Sequence, residues 1–149
     1  MANSNNIIPL PSKDFYPECN RILKDIWANK WQNITNNKLR EIRTEIGVWG
    51  TSCRTGARRH ETIIARLRIG HTRMTHEYLL TGDEQPLCEE CIVPLTVKHI
   101  ITECPEYSNH KRQYFNEDTI SLQTILGNNE PMINRVLQFV TAINIRQLI

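Results

Sequence analysis

Apolar residues recur at helical spacing through much of this chain, and that recurrence predicts most of its elements. From Asp14, the positions Phe15, Cys19, Ile22 and Ile26 form one stripe, which Leu23, Trp27 and Trp31 widen. Asp14 is placed to cap this first helix, with Pro17 tolerated in its first turn. Such a stripe usually serves core or interface packing; the competing reading makes the two tryptophans a base-stacking platform. Asn33 to Asn37 break the pattern, and KLREIRTEIGVWG follows as a short amphipathic or extended piece ending at Gly50, with Trp49 as a core plug. After a loop over 51–56, Ile63, Ile64 and Leu67 give a helix one apolar face, and Gly70 is its expected C-cap. Thr72 is placed to cap a second short helix carrying Met74, Tyr78 and Leu79.

Residues 81–87, with Gly82 and Pro86, read as a turn. The segment VKHIITEC then reads as a short helical turn closed by Pro105. EYSNHKRQYF predicts an exposed, mixed-charge helix bearing His110, Lys111 and Arg112. SLQTILG gives a short helix from Ser121 to Gly127. Glu130 and Pro131 open a last helix, lined on one face by Ile133, Val136, Leu137, Val140 and Ile143. The expected fold is therefore mainly α, a small helical domain with a zinc-stapled CCHC loop–helix lobe. Its predicted organisation is a proline-punctuated linker over 1–13, a helical region with a basic helix pair over 14–80, the lobe over 81–107 and C-terminal helices over 108–149. The linker-like start suggests the tail of a longer protein.

The lobe rests on CEECIVPLTVKHIITEC, which reads C-x2-C-x7-H-x4-C. Cys88, Cys91, His99 and Cys104 are the candidate metal ligands. Three thiolates and one imidazole fill a tetrahedral Zn2+ shell and leave no position for water, the pattern of a structural rather than a catalytic site. The alternatives are ordinary cysteines beside a histidine on an amphipathic turn, or a disulfide between Cys88 and Cys91. Cys19 and Cys53, outside the cluster, read as packing residues.

Charge changes the picture locally. Of 149 residues, 40% are apolar and 23% charged, which describes a folded chain and not a disordered one. A net charge of +2 leaves no global field for nucleic acid, so any such surface must be a patch. Arg54, Arg58, Arg59, Arg66, Arg68 and Arg73 cluster on the helix pair, opposed only by Glu61 until Glu77. Planar, always-charged guanidinium groups at this density suit phosphate oxygens. Arg58, Arg59, Arg66 and Arg73 are the candidate nucleic-acid contacts. Arg59 and Arg66 are expected on nearly one line of the side opposite the aliphatic face. The competing reading is a solvated helix face. His71 and His76 are expected to hold the interhelical turn by hydrogen bonds; metal ligation is their lesser alternative.

Glycine-rich phosphate loops, a G-x-S-x-G elbow and spaced acidic residues for two-metal chemistry are all missing from the sequence. No apolar run spans a bilayer and no signal peptide opens the chain. The cysteine usage points to a reducing compartment, cytoplasm or nucleus.

The order RLRIGHTRMTHEYLL, PLCEECIVPLTVKHIITECPEY and SLQTILG, then a closing apolar helix, resembles the carboxy-terminal tail of Jockey-like and I-factor-like non-LTR retrotransposon polyproteins. The upstream IPLPSKDFYP, WANKWQN, KLREI and VWG are similar to that family's link between RNase H and the metal motif, so the resemblance covers nearly the whole chain. It implies that Cys88, Cys91, His99 and Cys104 are CCHC ligands in a tail that handles RNA or DNA during reverse transcription. The family's polymerase and RNase H acids have no counterparts here, so the expectation is a non-enzymatic module. Its expected partners are an RNA or DNA phosphate backbone, with polymerase or RNase H domains of a parent polyprotein as docking partners and no membrane. The second expectation is a protein-docking domain in which zinc only holds the fold. An RNase H-type enzyme is the third and weakest.

Overall fold

The computed structural model describes residues 12–47, 57–116, 120–145 and 149. The chain forms two compact units, Met1–Thr35 and Asn36–Ile149. Helices α1 (Ser12–Asn33), α2 (Lys38–Ile42), α3 (Arg58–Ile69), α4 (Arg73–His76), α5 (Tyr78–Thr81), α6 (Ser108–Phe115), α7 (Leu122–Leu126) and α8 (Glu130–Ala142) account for most of it. A π-helical turn over His99–Glu103 and a 3-10 turn over Pro105–Tyr107 join the metal loop to α6. Among the described residues there is no strand, only an isolated antiparallel bridge between Leu87 and Pro94. The fold is thus the small, mainly helical type the sequence predicts, with a Cys/His cluster in it. No helix among the described residues is long and apolar enough to cross a membrane.

In the first unit, α1 starts at Ser12, so Asp14 lies inside the helix and not at the position before it. Its apolar stripe faces solvent: Phe15, Leu23 and Trp27 are each more than half exposed, and Cys19 is half-buried. The periodicity was enough to make a helix but carries no information on what the stripe covers.

The second unit holds the core. Helix α8 packs against α6, α7 and α3, burying Ile133, Val136, Leu137 and Val140 as the spacing predicts. Phe139 is equally buried, which the stripe reading missed, because it fills the wedge between Phe115, Tyr107 and Tyr114. Ile63, Ile64 and Leu67 of α3 join Ile42, Val97, Ile100 and Ile101 in the same cluster. Asn37 caps α2 and Ser121 caps α7, each through a side-chain oxygen that accepts from a backbone N–H. Asn129 does the same for α8 one residue before the expected start. Gly70 ends α3 at φ +76, in the left-handed region, where its N–H donates to the Arg66 and Leu67 carbonyls. Thr72 and Thr75 form a reciprocal cap on α4, which breaks at Glu77 from α5 where one helix was expected. Trp49, Cys53, Arg54 and the loop over 51–56 lie outside the described residues.

One arginine of the basic cluster belongs to the core and not to the surface. Arg68 is 5% exposed; its Nε donates to the Leu126 carbonyl at 2.8 Å and its Nη2 to the Gly127 carbonyl at 2.6 Å. It thereby satisfies carbonyls at the end of α7 that no helical N–H reaches. Gly127 is required at that end because a β-carbon there would collide with the Gln123 carbonyl oxygen. Arg68→Met should therefore lower the unfolding free energy of the metal-loaded chain by about 1.5–3 kcal/mol, the value of hydrogen bonds to a charged donor. The exposed Arg58→Met should stay within about 0.5 kcal/mol. Urea denaturation of the two variants beside wild type checks the contrast.

Candidate metal centre and arginine face

The hairpin that presents the first two thiols is fixed by its backbone. The Cys88 N–H donates to the Val93 carbonyl, the Ile92 N–H to the Cys88 carbonyl, and the Leu95 N–H to the Pro86 carbonyl, each at 2.8 Å. The second pair is brought in by the π-helical turn. Residues five apart on an α-helix point roughly 140° away from each other at 3.6 residues per turn. The wider turn, closed by the Cys104 N–H donating to the His99 carbonyl at 2.7 Å, instead lets both side chains reach one point.

The result is that one ligand atom from each of Cys88, Cys91, His99 and Cys104 lies within 4.8 Å of all the others. Cys104 Sγ is 3.7 Å from Cys88 Sγ and 3.9 Å from Cys91 Sγ, too far for a disulfide and close enough to share an ion. Cys88, His99 and Cys104 are buried and Cys91 is half-buried. His99 turns Nδ1 toward Glu103, 3.6 Å away, and its Nε2 is buried with no hydrogen-bond partner. An orphaned imidazole nitrogen in a buried cluster is a defect unless a metal accepts its lone pair. The four residues that the spacing singles out are thus brought together and can hold a metal ion, in a donor set compatible with zinc.

Electrostatics supports the same fit. The Cys88 thiol is lowered to about 7, chiefly by the Cys91 N–H and next by the His99 ring. Cys91 is pushed up to about 12 by burial first, then by the neighbouring Cys88 and Cys104 sulfurs. Burial also raises Cys104. Three thiols this close cannot all ionise unaided, and a bound dication removes that conflict. Three thiolates around a divalent ion leave a net charge of −1, and a cation stands behind it. Lys111 is 1% exposed and donates from Nζ to the Cys104 carbonyl at 2.7 Å. This corrects the expectation of an exposed α6 at Lys111. Lys111 lies one turn before the buried Phe115 on the same face, a signal that its polar character concealed.

The arginines are distributed differently. Arg58 and Arg59 are exposed. Arg59 and Arg66 share a line on α3, but Ile63 is one turn from Arg59 and Leu67 adjoins Arg66. The line therefore runs along the flank of the buried face, not across from it. From there Arg66 Nη1 donates to the Ile149 carbonyl, and Arg73 pairs with Glu77 at 2.8 Å. His71 and His76 stand outside the thiol cluster, stacked with ring centres 3.9 Å apart. Burial, then the neighbouring Lys38 and His71, lower the pKa of His76. Neutral His76 accepts at Nε2 from Lys38 (3.2 Å) and donates from Nδ1 to Thr75 Oγ1 (2.7 Å). This ties α2 to α4.

Comparison with protein-family models, curated proteins and solved structures returns no match to this chain.

Metal binding must displace the thiol protons, so affinity rises with pH. At pH 7 Cys88 is about half ionised while Cys91 and Cys104 are protonated, which predicts release of roughly two to three protons per Zn2+ bound. The apparent affinity should then rise about 100-fold or more from pH 6 to pH 7. Competition with a chromophoric chelator across that range, with proton release read in weak buffer, measures both.

Proposed function

We propose that this chain is a non-catalytic, zinc-stapled module that binds the phosphate backbone of RNA or DNA. The setting proposed for it is the one its sequence resemblance implies, the tail of a non-LTR retrotransposon reverse transcriptase polyprotein acting inside the cell. The observation that carries the reading is the exposed arginine set on α3, beside its buried face. Arg58 and Arg59 are exposed at the start of the helix and Arg66 is exposed two turns on, while Ile63, Ile64 and Leu67 are buried. Guanidinium groups on one rigid element can follow a phosphate backbone without reading bases. Cys88, Cys91, His99 and Cys104 would hold Zn2+ and so fix the loop that leads into α6; the ion stabilises the fold and takes no part in chemistry. Arg66 and Arg73 already have partners in the chain, so Arg58 and Arg59 are the stronger contributors.

A protein-docking reading has its own support in α1, whose Phe15, Ile22, Leu23, Ile26 and Trp27 face solvent. Salt separates the two. Phosphate binding weakens steeply as salt rises, and hydrophobic docking does not.

Fluorescence anisotropy of the zinc-loaded chain with single-stranded RNA and duplex DNA, at several salt concentrations, tests the proposal. The double variant Arg58→Ala/Arg59→Ala should weaken binding to unrelated sequences about equally. It should also reduce the slope of log affinity against log salt by about two units. Unchanged affinity and slope would remove the arginines from the interface and leave the docking reading.

A further inference from the structure

The hairpin that carries Cys88 and Cys91 also carries three apolar side chains that face solvent. Leu87 is 53% exposed, Ile92 71% and Val93 39%. Ile92 sits at φ +56, in the left-handed region. There the β-carbon crowds the backbone, and a β-branched residue is a rare occupant of a position that glycine or asparagine fills at lower cost. The residue therefore costs stability through its backbone and gains little from burial of its side chain. It is not among the side chains packed against the core, so nothing there offsets the cost. Strain of this kind at an exposed apolar residue is the mark of a side chain kept for a contact outside the chain.

The charge around the tip says what that contact is. Between Arg73 and Lys98 the sequence has no lysine or arginine, but it has Glu77, Asp83, Glu84, Glu89 and Glu90. Glu77 is paired with Arg73, and the other four are exposed. Glu89 and Glu90 are the two residues between Cys88 and Cys91, in the turn that leads directly to Ile92. The single negative charge of three thiolates around a divalent ion is faced by the buried Lys111 ammonium, so the exposed carboxylates set the charge of the tip. A phosphate backbone is repelled by this lobe, whereas a cationic, apolar protein segment is attracted to it.

We propose that Leu87, Ile92 and Val93 form a protein-docking tip whose partner presents aliphatic side chains flanked by lysine or arginine. The apolar contacts supply the core of the interface and Asp83, Glu84, Glu89 and Glu90 its charged rim. These residues are distinct from Arg58 and Arg59, so the tip stands or falls independently of nucleic-acid binding by α3. The module would then hold a nucleic acid with one set of residues and a basic protein segment with another.

The test uses the full zinc-loaded chain, labelled with 15N, and four defined probes. These are a peptide of alternating Leu/Val and Lys/Arg, the same peptide with serine for its aliphatic residues, the same peptide with glutamate for its basic residues, and a short oligouridine. The first peptide should bind and shift the amide resonances of 87–93, while the serine and glutamate peptides should not. Ile92→Gly should weaken the first peptide about tenfold or more, the scale of one interface hot spot. It should also keep full zinc stoichiometry and melt at the same or a higher temperature, because glycine relieves the backbone. Glu89→Gln/Glu90→Gln should weaken the same peptide, more so at low salt. The proposal is overturned if the first peptide does not bind or binds Ile92→Gly equally well. A lower melting temperature for Ile92→Gly would overturn it too, by showing that the side chain supports the fold. Shifts at 87–93 with oligouridine in place of the peptide would assign the tip to nucleic acid and equally overturn it.

Discussion

Three sulfurs and one imidazole nitrogen converge in a largely buried space where none of them can be left as it is. The thiols are too close to ionise together, and the His99 Nε2 has no partner. A divalent cation removes both penalties at once, and much of the second unit is built to deliver its ligands. The hairpin over Pro86–Leu95 positions two sulfurs, and the π-helical turn His99–Glu103 aligns the other pair. Ile100 and Ile101 lie within that turn and are buried in the same cluster as α3, α7 and α8, so ligand geometry and core packing are coupled. Lys111, buried behind Cys104, extends the coupling to α6. Metal binding in such an arrangement contributes directly to folding free energy.

The second unit distributes its charge along the sequence. The basic residues Arg58, Arg59, Arg66 and Arg73 precede a stretch of two dozen residues that holds acids only, and the metal loop lies in that stretch. The arginines proposed to contact phosphate and the residues of the Cys/His lobe are therefore different. In the proposed function the metal loop acts through the fold it would stabilise, and its acidic, apolar tip is proposed for a different class of partner.

The Cys/His cluster was legible in the sequence because residue type and spacing are local properties. Cys88, Cys91, His99 and Cys104 needed only to be read in order. Two caps were legible for the same reason: Gly70 and Thr72 act where their residue types predict, while Ser121, expected as the first helical residue, is the cap of α7. Arg68 and Lys111 were not legible. A buried cation is defined by distant carbonyls, those of Leu126, Gly127 and Cys104, which no local pattern names. Phe139 was missed because the aliphatic stripe of α8 accounted for that helix without it, whereas its partners come from the 3-10 turn and α6. The α1 stripe shows the converse, since its periodicity specifies a helix while the covering surface depends on something the pattern does not contain.

One Zn2+ held by three thiolates and one imidazole in a closed shell has a distinctive zinc K-edge X-ray absorption signature. The metal-loaded chain should show three sulfur scatterers at about 2.3 Å and one nitrogen at about 2.0 Å, with no bound water. A shell with fewer sulfurs, an added light-atom ligand from solvent, or no zinc retained by the purified chain would contradict that ligand set.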